Sequence, residues 1–365
     1  MRTLPQLHIR SIRARPVVVP MKRPLRTSSG AVAQAPLLLI DLQSEEGVTG
    51  RSYLFGYQPF ALKALHDLVV ALTEMIVGDR VAPFDVDRKL RSRAKLIGPS
   101  GLLGVALAGL DVACWDTLAV GQGLPLAEVL GGSAHSVQAY NSNGLSIMPV
   151  GEAAEEATQL VAEGFGAIKI RLGRATAGED LAAVRAVRSR IPSDILLMAD
   201  FNQALSVNEA IHRGRLLDGE GLVWIEEPVR ADDLAGCARV AAELKTPVQI
   251  GENFSGVYQM LESLNLRASD FVMPDLQRIG GVSGWMRAAA LAQAAGCEMS
   301  NHLFPEVSAH LLAVTPTCHW LEYVDWADPV LEHPLEVRDG KALVPSRPGS
   351  GLVWNEQAVE RFRVV

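Results

Sequence analysis

At 365 residues, with 48% hydrophobic and 21% charged residues, the chain can bury a large core and is not disordered. A net charge of −7 with no basic block to offset it argues against a nucleic-acid binder. The four cysteines, Cys114, Cys237, Cys297 and Cys318, lie far apart, which argues against a disulfide framework or a CxxC zinc site and suits a reducing cytoplasm.

The N-terminal arginines (Arg2, Arg10, Arg13, Arg15) are not followed by the apolar region of a secretion signal. Residues 6–20 alternate like a strand as far as Pro20, and 36–42 and 47–53 predict two more strands around a turn at Ser44 to Gly47. The intervening 23–35 is rich in Gly, Ser and Thr and reads as a mobile loop. Helical patterns follow at about 59–77, 84–96 and 100–120. The third is apolar on most faces and therefore buried. Its most apolar part, Gly101 to Leu110, is too short to cross a bilayer and leads into Asp111 and Asp116, so no membrane association is expected. Strands followed by helices, without βα alternation, predict an α+β domain over 1–136.

Across 137–326 the pattern changes. Short apolar runs at 137–142, 167–172, 195–202, 223–228, 248–253, 271–276, 298–304 and 319–324 alternate with helical patterns such as 151–164 and 284–296. Eight βα units predict an α/β fold, a (β/α)8-type barrel of modified TIM kind under an α+β capping domain, with its chemistry at the C-terminal strand ends. Residues 327–365 return to strand and turn patterns, have no place in the barrel, and are expected to pack on the capping domain.

Each barrel strand ends in a polar group: Ser142; Lys169 with Arg171; Asp200 with Asn202; Glu226 or Glu227; Glu252; Asp275; His302; and Glu322. One such residue alone is usually a solvated or paired side chain; eight in register point to a site. Asp200, Glu226 and Glu252 recur at intervals of 26 residues on neighbouring strands. Three hard oxygen ligands suit Mg2+, with Mn2+ as a substitute. In an eight-stranded barrel the second strand faces the sixth, so Lys169 and Arg171 face the Asp275–His302 pair. Asp275 would fix the His302 tautomer and raise its basicity. Glu322, opposite the metal, could donate a proton or a short hydrogen bond to the substrate oxygen that the metal does not hold. Bases on either side of a metal-held carboxylate suit removal of the proton α to the acid, through an enediolate. Returning the proton to the opposite face inverts the centre, and losing a β-hydroxyl instead gives dehydration.

The segments APLLLIDL, SYLFGY, VQAYNS, ADFNQ, VWIEEPV, VQIGENF, MPDLQRIGGVSGW, SNHLFPEVSAHLLAVTPT and HWLEY carry a family resemblance. Over essentially its full length the chain resembles the mandelate racemase subgroup of the enolase superfamily. The resemblance implies a 2-hydroxy acid racemase, with an acid-sugar dehydratase as the alternative. It implies Mg2+ on Asp200, Glu226 and Glu252, a His302–Asp275 base and Glu322 as electrophile. It further implies Lys169 and Ser142 on the substrate carboxylate, Asn202 near the substrate, and the 23–35 loop with Phe55 and Tyr57 closed over its side chain. A homo-oligomer, commonly an octamer, goes with it.

One position departs from the family. Its K-x-K pair is here Lys169-Ile170-Arg171, with arginine where the second base usually stands. Neutralising a guanidinium of pKa ~13 at pH 7 costs roughly 8 kcal/mol, against about 4–5 for a lysine at ~10.4. Arginine is a poor base and a good carboxylate clamp. Two reactions of one site therefore stay open: racemisation slowed on one face, or dehydration by His302 alone. Phe55 and Tyr57 favour an apolar substrate tail, whereas Arg26, Thr27, Ser28 and Ser29 suit hydroxyls. A non-catalytic, metal-stabilised binding protein is a third reading, which the His302–Asp275 pair and Glu322 oppose. The Ile279-Gly280-Gly281 turn before a helix could bind an anion, and a plain turn is the simpler reading.

Overall fold

The computed structural model describes residues 6–28 and 30–364; Arg2 and Ser29 fall outside them. Three antiparallel strands, β1 (Ile9–Thr27), β2 (Gly30–Ser44) and β3 (Thr49–Phe55), open the chain in the order β1-β2-β3. β1 carries Pro16, Pro20 and Pro24, each of which removes a ladder donor, and it lies at the sheet edge where that loss is tolerated. The stretch expected as a mobile loop is mostly paired: Leu25–Val32, Arg26–Ala31 and Thr27–Gly30 continue the β1–β2 ladder beyond a register shift at Pro20. Strand pairing here overrides a loop-like composition.

Helices α1 (Ala61–Glu74), α2 (Pro83–Arg93) and α3 (Gly101–Gln122) cover this sheet. α3 is apolar and long enough to cross a membrane, but most of it is buried within the protein, as a core helix is. It approaches β3 so closely that a Cβ on Gly50 would lie 2.1 Å from Thr117 Oγ1. A short α4 (Leu126–Val129) leads out of the capping domain.

The barrel then alternates β4 (Val137–Asn141), α5 (Val150–Ala162), β5 (Ala167–Arg171), α6 (Ala177–Arg190), β6 (Leu196–Asp200), α7 (Val207–Leu217), β7 (Leu222–Glu226) and α8 (Leu234–Glu243). It continues through β8 (Val248–Ile250), α9 (Val257–Leu266), β9 (Phe271–Val272), α10 (Leu276–Ile279), α11 (Gly281–Ala295), β10 (Glu298–Met299), α12 (Pro305–Ala313) and β11 (Leu321–Tyr323). All eight strands run parallel, in the order β10-β9-β8-β7-β6-β5-β4-β11. A single Met299–Cys318 bridge brings β10 to the segment entering β11. The eighth strand is not followed by a barrel helix, which is where this fold departs from a regular (β/α)8.

Tyr140, Ala167, Met198 and Trp224 form a buried apolar layer inside the barrel. Two residues further along the same strands stand Ser142, Lys169, Asp200 and Glu226. Because i and i+2 share a strand face, the apolar plug is the floor on which the polar mouth rests.

The C-terminal segment corrects one expectation. After a 3-10 turn at Asp328–Val330, β12 (Val337–Arg338) and β13 (Lys341–Ala342) form a hairpin whose β13 pairs antiparallel with β4, so this part extends the barrel sheet. Beyond it, the segment meets the capping domain. Ser350 donates to Asp116 at 2.6 Å and Trp354 to Asp41 at 2.7 Å, and Arg15 pairs with Glu356 of α13 (Glu356–Phe362) at 2.5 Å.

The glycine turn at 279–281 does have an anion, and the chain supplies it. Asp111 of α3 accepts from the Ser283 N–H at 2.9 Å and the Ser283 hydroxyl at 2.5 Å, within the first turn of α11. Trp115 donates to the same hydroxyl at 2.9 Å. A buried carboxylate on a helix N-terminus thus joins the capping domain to the barrel. Asp111→Ala leaves buried donors unpaired and should destabilise the protein by about 2–4 kcal/mol in urea unfolding. Asp111→Asn keeps an acceptor and should cost less; equal losses would show that packing rather than hydrogen bonding matters there.

Candidate active site at the barrel mouth

Lys169, at the centre of β5, is 1% exposed and its ammonium is enclosed by carboxylates. It donates to Glu226 Oε1 and to Glu322 Oε1 (2.8 Å), and lies 3.5 Å from Asp200 Oδ2. Burial works to strip its charge, but Glu226, Glu322 and Asp200 outweigh that and raise its pKa. Two residues on, Arg171 is also buried, and its donors face elsewhere. One terminal nitrogen reaches the carbonyls of Ser142 (3.1 Å) and Gly144 (2.8 Å), the other the Ser142 hydroxyl (3.3 Å). The guanidinium braces the loop after β4 from below.

The three expected metal ligands stand at adjacent strand ends. Asp200 closes β6 and accepts from the Asn202 N–H (2.7 Å) and side-chain amide (2.9 Å), with Asn202 held at φ 45°. Glu226 closes β7, is fully buried, and takes a hydrogen bond from Trp224 Nε1 at 3.0 Å. Glu252 needs a backbone device: on β8 the inward residue is Gln249, and Gly251 at φ 137° breaks the alternation before Glu252. Glu252 Oε2 comes within 3.4 Å of His302 Nε2, and Oε1 accepts from Asn253.

These residues fit a divalent cation on grounds of charge. Burial, aided by Asp200 and Glu322 and opposed by Lys169, pushes Glu226 up to about 8. Burial and then Glu252 raise Glu227 well above the carboxylate range. Asn202 Oδ1 and Glu227 Oε2 are buried without a hydrogen-bond partner. A rim of hard oxygens short of positive charge, with two of its neighbours lacking any donor, is what a small divalent ion relieves. Asp200, Glu226 and Glu252 would hold it.

Opposite β5, Asp275 caps α10, accepting from the N–H groups of Gln277 and Arg278 through Oδ1. Its Oδ2 meets His302 Nδ1 at 2.7 Å. A carboxylate only accepts, so Nδ1 carries the proton and Nε2 faces the site. Burial opposes charge on His302, but Glu252, Asp275 and Glu322 prevail and push it up to about 9. The turn that presents His302 is left-handed at two consecutive residues, Leu303 (φ 53°) and Phe304 (φ 51°).

Glu322, on β11, accepts from Lys169, from the Ser142 hydroxyl (2.8 Å) and from the Leu303 N–H (2.9 Å). Burial raises its pKa, but Lys169 and then His302 hold it well below the carboxylate range. In this arrangement Glu322 serves as the acceptor of all three hydrogen bonds. Lys169 neutralises it.

The capping domain supplies the roof. The Phe55 and Tyr57 rings meet at a tilt of 55° with centroids 4.6 Å apart, and the Trp326 ring lies 5.3 Å from Phe55. On the hairpin, Leu25 and Val32 pack against the core cluster that includes Phe55, while Arg26 and Ser28 are exposed. Hydrogen bonds from the Arg26 N–H to Ser146 Oγ (2.9 Å) and from the Ile147 N–H to the Arg26 carbonyl (2.9 Å) latch the hairpin to the loop after β4. The hairpin thus brings both apolar side chains, Leu25 and Val32, and polar ones, Arg26, Thr27 and Ser28, to this end of the capping domain.

Three contributors escaped the sequence reading. Gln277 grips Phe55 through both its N–H and its carbonyl, at 3.0 and 3.2 Å. Asn301 accepts from the Glu322 N–H (2.7 Å) and donates to the Leu303 carbonyl (2.8 Å). Trp326 follows the last strand. Gln277 alone had a signal, two residues past Asp275 in MPDLQ.

Family models agree with this architecture: residues 9–131 match the mandelate racemase / muconate lactonizing enzyme N-terminal domain, and 152–358 the enolase C-terminal domain-like family. The L-talarate/galactarate dehydratase of Salmonella typhimurium is 32% identical over 331 residues, 90% of this chain and 82% of that protein. The crystal structure of an enolase from alpha pretobacterium bal199 with bound Mg is 46% identical, with a TM-score of 0.96 over 98% of this chain and 100% of that one. An enolase from Bradyrhizobium complexed with magnesium and mandelic acid is 41% identical, with a TM-score of 0.95 over the whole of both chains. The chain belongs to the enolase superfamily, in its mandelate racemase / muconate lactonizing enzyme branch.

Proposed function

We propose that this protein removes the α-proton of a 2-hydroxycarboxylate that carries an apolar tail, and returns it as a racemase. His302 is the base. The observation that carries the reading is its geometry: Nδ1 tied to Asp275 at 2.7 Å, Nε2 facing the carboxylate rim. The substrate carboxylate would meet Lys169 and Ser142. Asn202 would border the substrate, and its tail would lie against Phe55, Tyr57 and Trp326. Mg2+, when bound by Asp200, Glu226 and Glu252, would supply the charge that draws the substrate carboxylate to the rim and steadies the enediolate. Lys169 would then share its donors between Glu322 and the substrate. Four free cysteines suit a cytoplasmic enzyme.

The aromatic group of Phe55, Tyr57 and Trp326 supports racemisation, because an apolar tail offers no β-hydroxyl to lose. The neighbour that holds mandelic acid points the same way. Arg171 makes the two faces unequal. Its guanidinium is committed to the Ser142 and Gly144 carbonyls, so proton exchange on its side is slow. That commitment also favours a second reading, a dehydratase in which His302 alone handles protons, the class to which the Salmonella relative belongs.

Mg2+ should raise the thermal midpoint, EDTA should abolish α-proton exchange in D2O, and Asp200→Asn should lose the thermal shift. Exchange that survives EDTA would remove the metal from the site. His302→Asn should slow exchange of one enantiomer by about 10²–10⁴-fold, read by proton NMR on a panel of 2-hydroxy acids and sugar acids. Keto-acid formation in the same samples would establish the dehydratase reading. Arg171→Lys should speed exchange of the other enantiomer by roughly tenfold or more. An unchanged or lower rate would mean that this position serves only to brace the loop.

A further inference from the structure

Asn253 and Arg278 each stand close in sequence to a residue of the candidate site. Asn253 directly follows Glu252 just beyond β8, and Arg278 lies on α10, the helix that Asp275 caps. Their side chains meet: Arg278 Nη1 donates to Asn253 Oδ1. The nitrogen of the same amide donates to Glu252 Oε1 at 3.0 Å. Glu252 Oε2 is left on the side of the base, 3.4 Å from His302 Nε2.

An amide can turn either its oxygen or its nitrogen toward a neighbour, whereas a guanidinium carries donors only. Beside Arg278, Asn253 must present its oxygen to that side, and its NH2 group then points at Glu252. The reverse orientation would set donor against donor at Arg278 and acceptor against acceptor at Glu252. Arg278 thus selects the orientation of Asn253, and Asn253 tethers one oxygen of Glu252. Arg278 is itself held at three further points. Its N–H donates to Asp275 Oδ1 at 3.1 Å, its carbonyl accepts from the Gly256 N–H at 3.0 Å, and its guanidinium lies 4.9 Å from the Tyr57 ring centroid.

We propose that Arg278 is a positioning residue for the metal: acting through Asn253, it fixes the Glu252 carboxylate as a ligand for Mg2+. This role rests on the assignment of Mg2+ to Asp200, Glu226 and Glu252 made above, and is the same whether the enzyme racemises or dehydrates its substrate. Its sign is opposite to that of plain electrostatics. A guanidinium this near the rim repels a divalent cation, so by charge alone its removal would tighten metal binding. Loss of a contact that orients a ligating side chain weakens it instead, typically by about 10–100-fold.

The direct measurement is calorimetric titration of the metal-free protein with MgCl2, made below the thermal midpoint of each variant so that lost stability does not register as lost affinity. Arg278→Met removes the donors and keeps much of the bulk; it should raise the Kd by about 10–100-fold, and Asn253→Ala should do likewise. Because the two residues act in series, the double variant should lose little more than either single one. Arg278→Lys still offers donors only, selects the same amide orientation, and should stay much nearer the wild-type Kd. Wild-type protein that takes up no Mg2+ overturns the proposal together with the metal assignment. Wild-type binding that Arg278→Met or Asn253→Ala leaves unchanged or tightens overturns the proposal alone. So do single losses that add in full in the double variant, or an Arg278→Lys loss as large as that of Arg278→Met.

Discussion

Crowding negative charge at one end of a parallel barrel is the constraint on which this site depends. Asp200, Glu226, Glu227, Asp275 and Glu322 are all buried, and Glu252 adjoins them. Like charges this close, out of water, repel strongly unless donors and cations are placed among them. The chain meets part of the requirement with Lys169, the only lysine in the cluster, and part with backbone N–H groups at Asp275 and Glu322. The remainder is the electrostatic attraction that a divalent ion would satisfy. The same imbalance raises the basicity of His302, so metal affinity and base strength are linked through one set of carboxylates.

How far this was legible in advance varied with the physics of each element. The barrel strands were readable because a parallel strand is buried on both faces, which leaves an apolar run that ends abruptly at its polar tip. Asp200, Glu226 and His302 sit at such ends. The hairpin from Leu25 to Val32 is not legible in the sequence because its order comes from cross-strand pairing and from latching to Ser146, neither of which a composition of Gly, Ser and Thr reveals. Two-residue strands such as β13 are too short to carry a period. The placement of Glu252 depends on one backbone torsion at Gly251, and a lone glycine in a sequence does not announce its φ.

Arg171 illustrates a different limit. Its residue type supplies a fork of donors, yet such a fork can serve a substrate or the protein's own carbonyls equally well. Only the positions of Ser142 and Gly144 identify the protein's own carbonyls as the partners. Once that is seen, the loop after β4 becomes a rigid shelf, held from below by Arg171 and from above by the hairpin at Arg26 and Ile147. A shelf fixed on both sides makes Ser142 a preorganised donor rather than a mobile one.

Gln277 holds the Phe55 backbone with both ends of its amide while sitting two residues beyond Asp275. One short helical turn therefore follows the aspartate that holds His302 and anchors the strand end that carries Phe55. The positions of Phe55 and Asp275 are geared together: a shift of Phe55 drags on α10, and α10 drags on Asp275 and so on His302. Changing substrate preference by remodelling the capping domain is then not a modular operation, since a new roof that misplaces Phe55 would detune the chemistry it was meant to redirect.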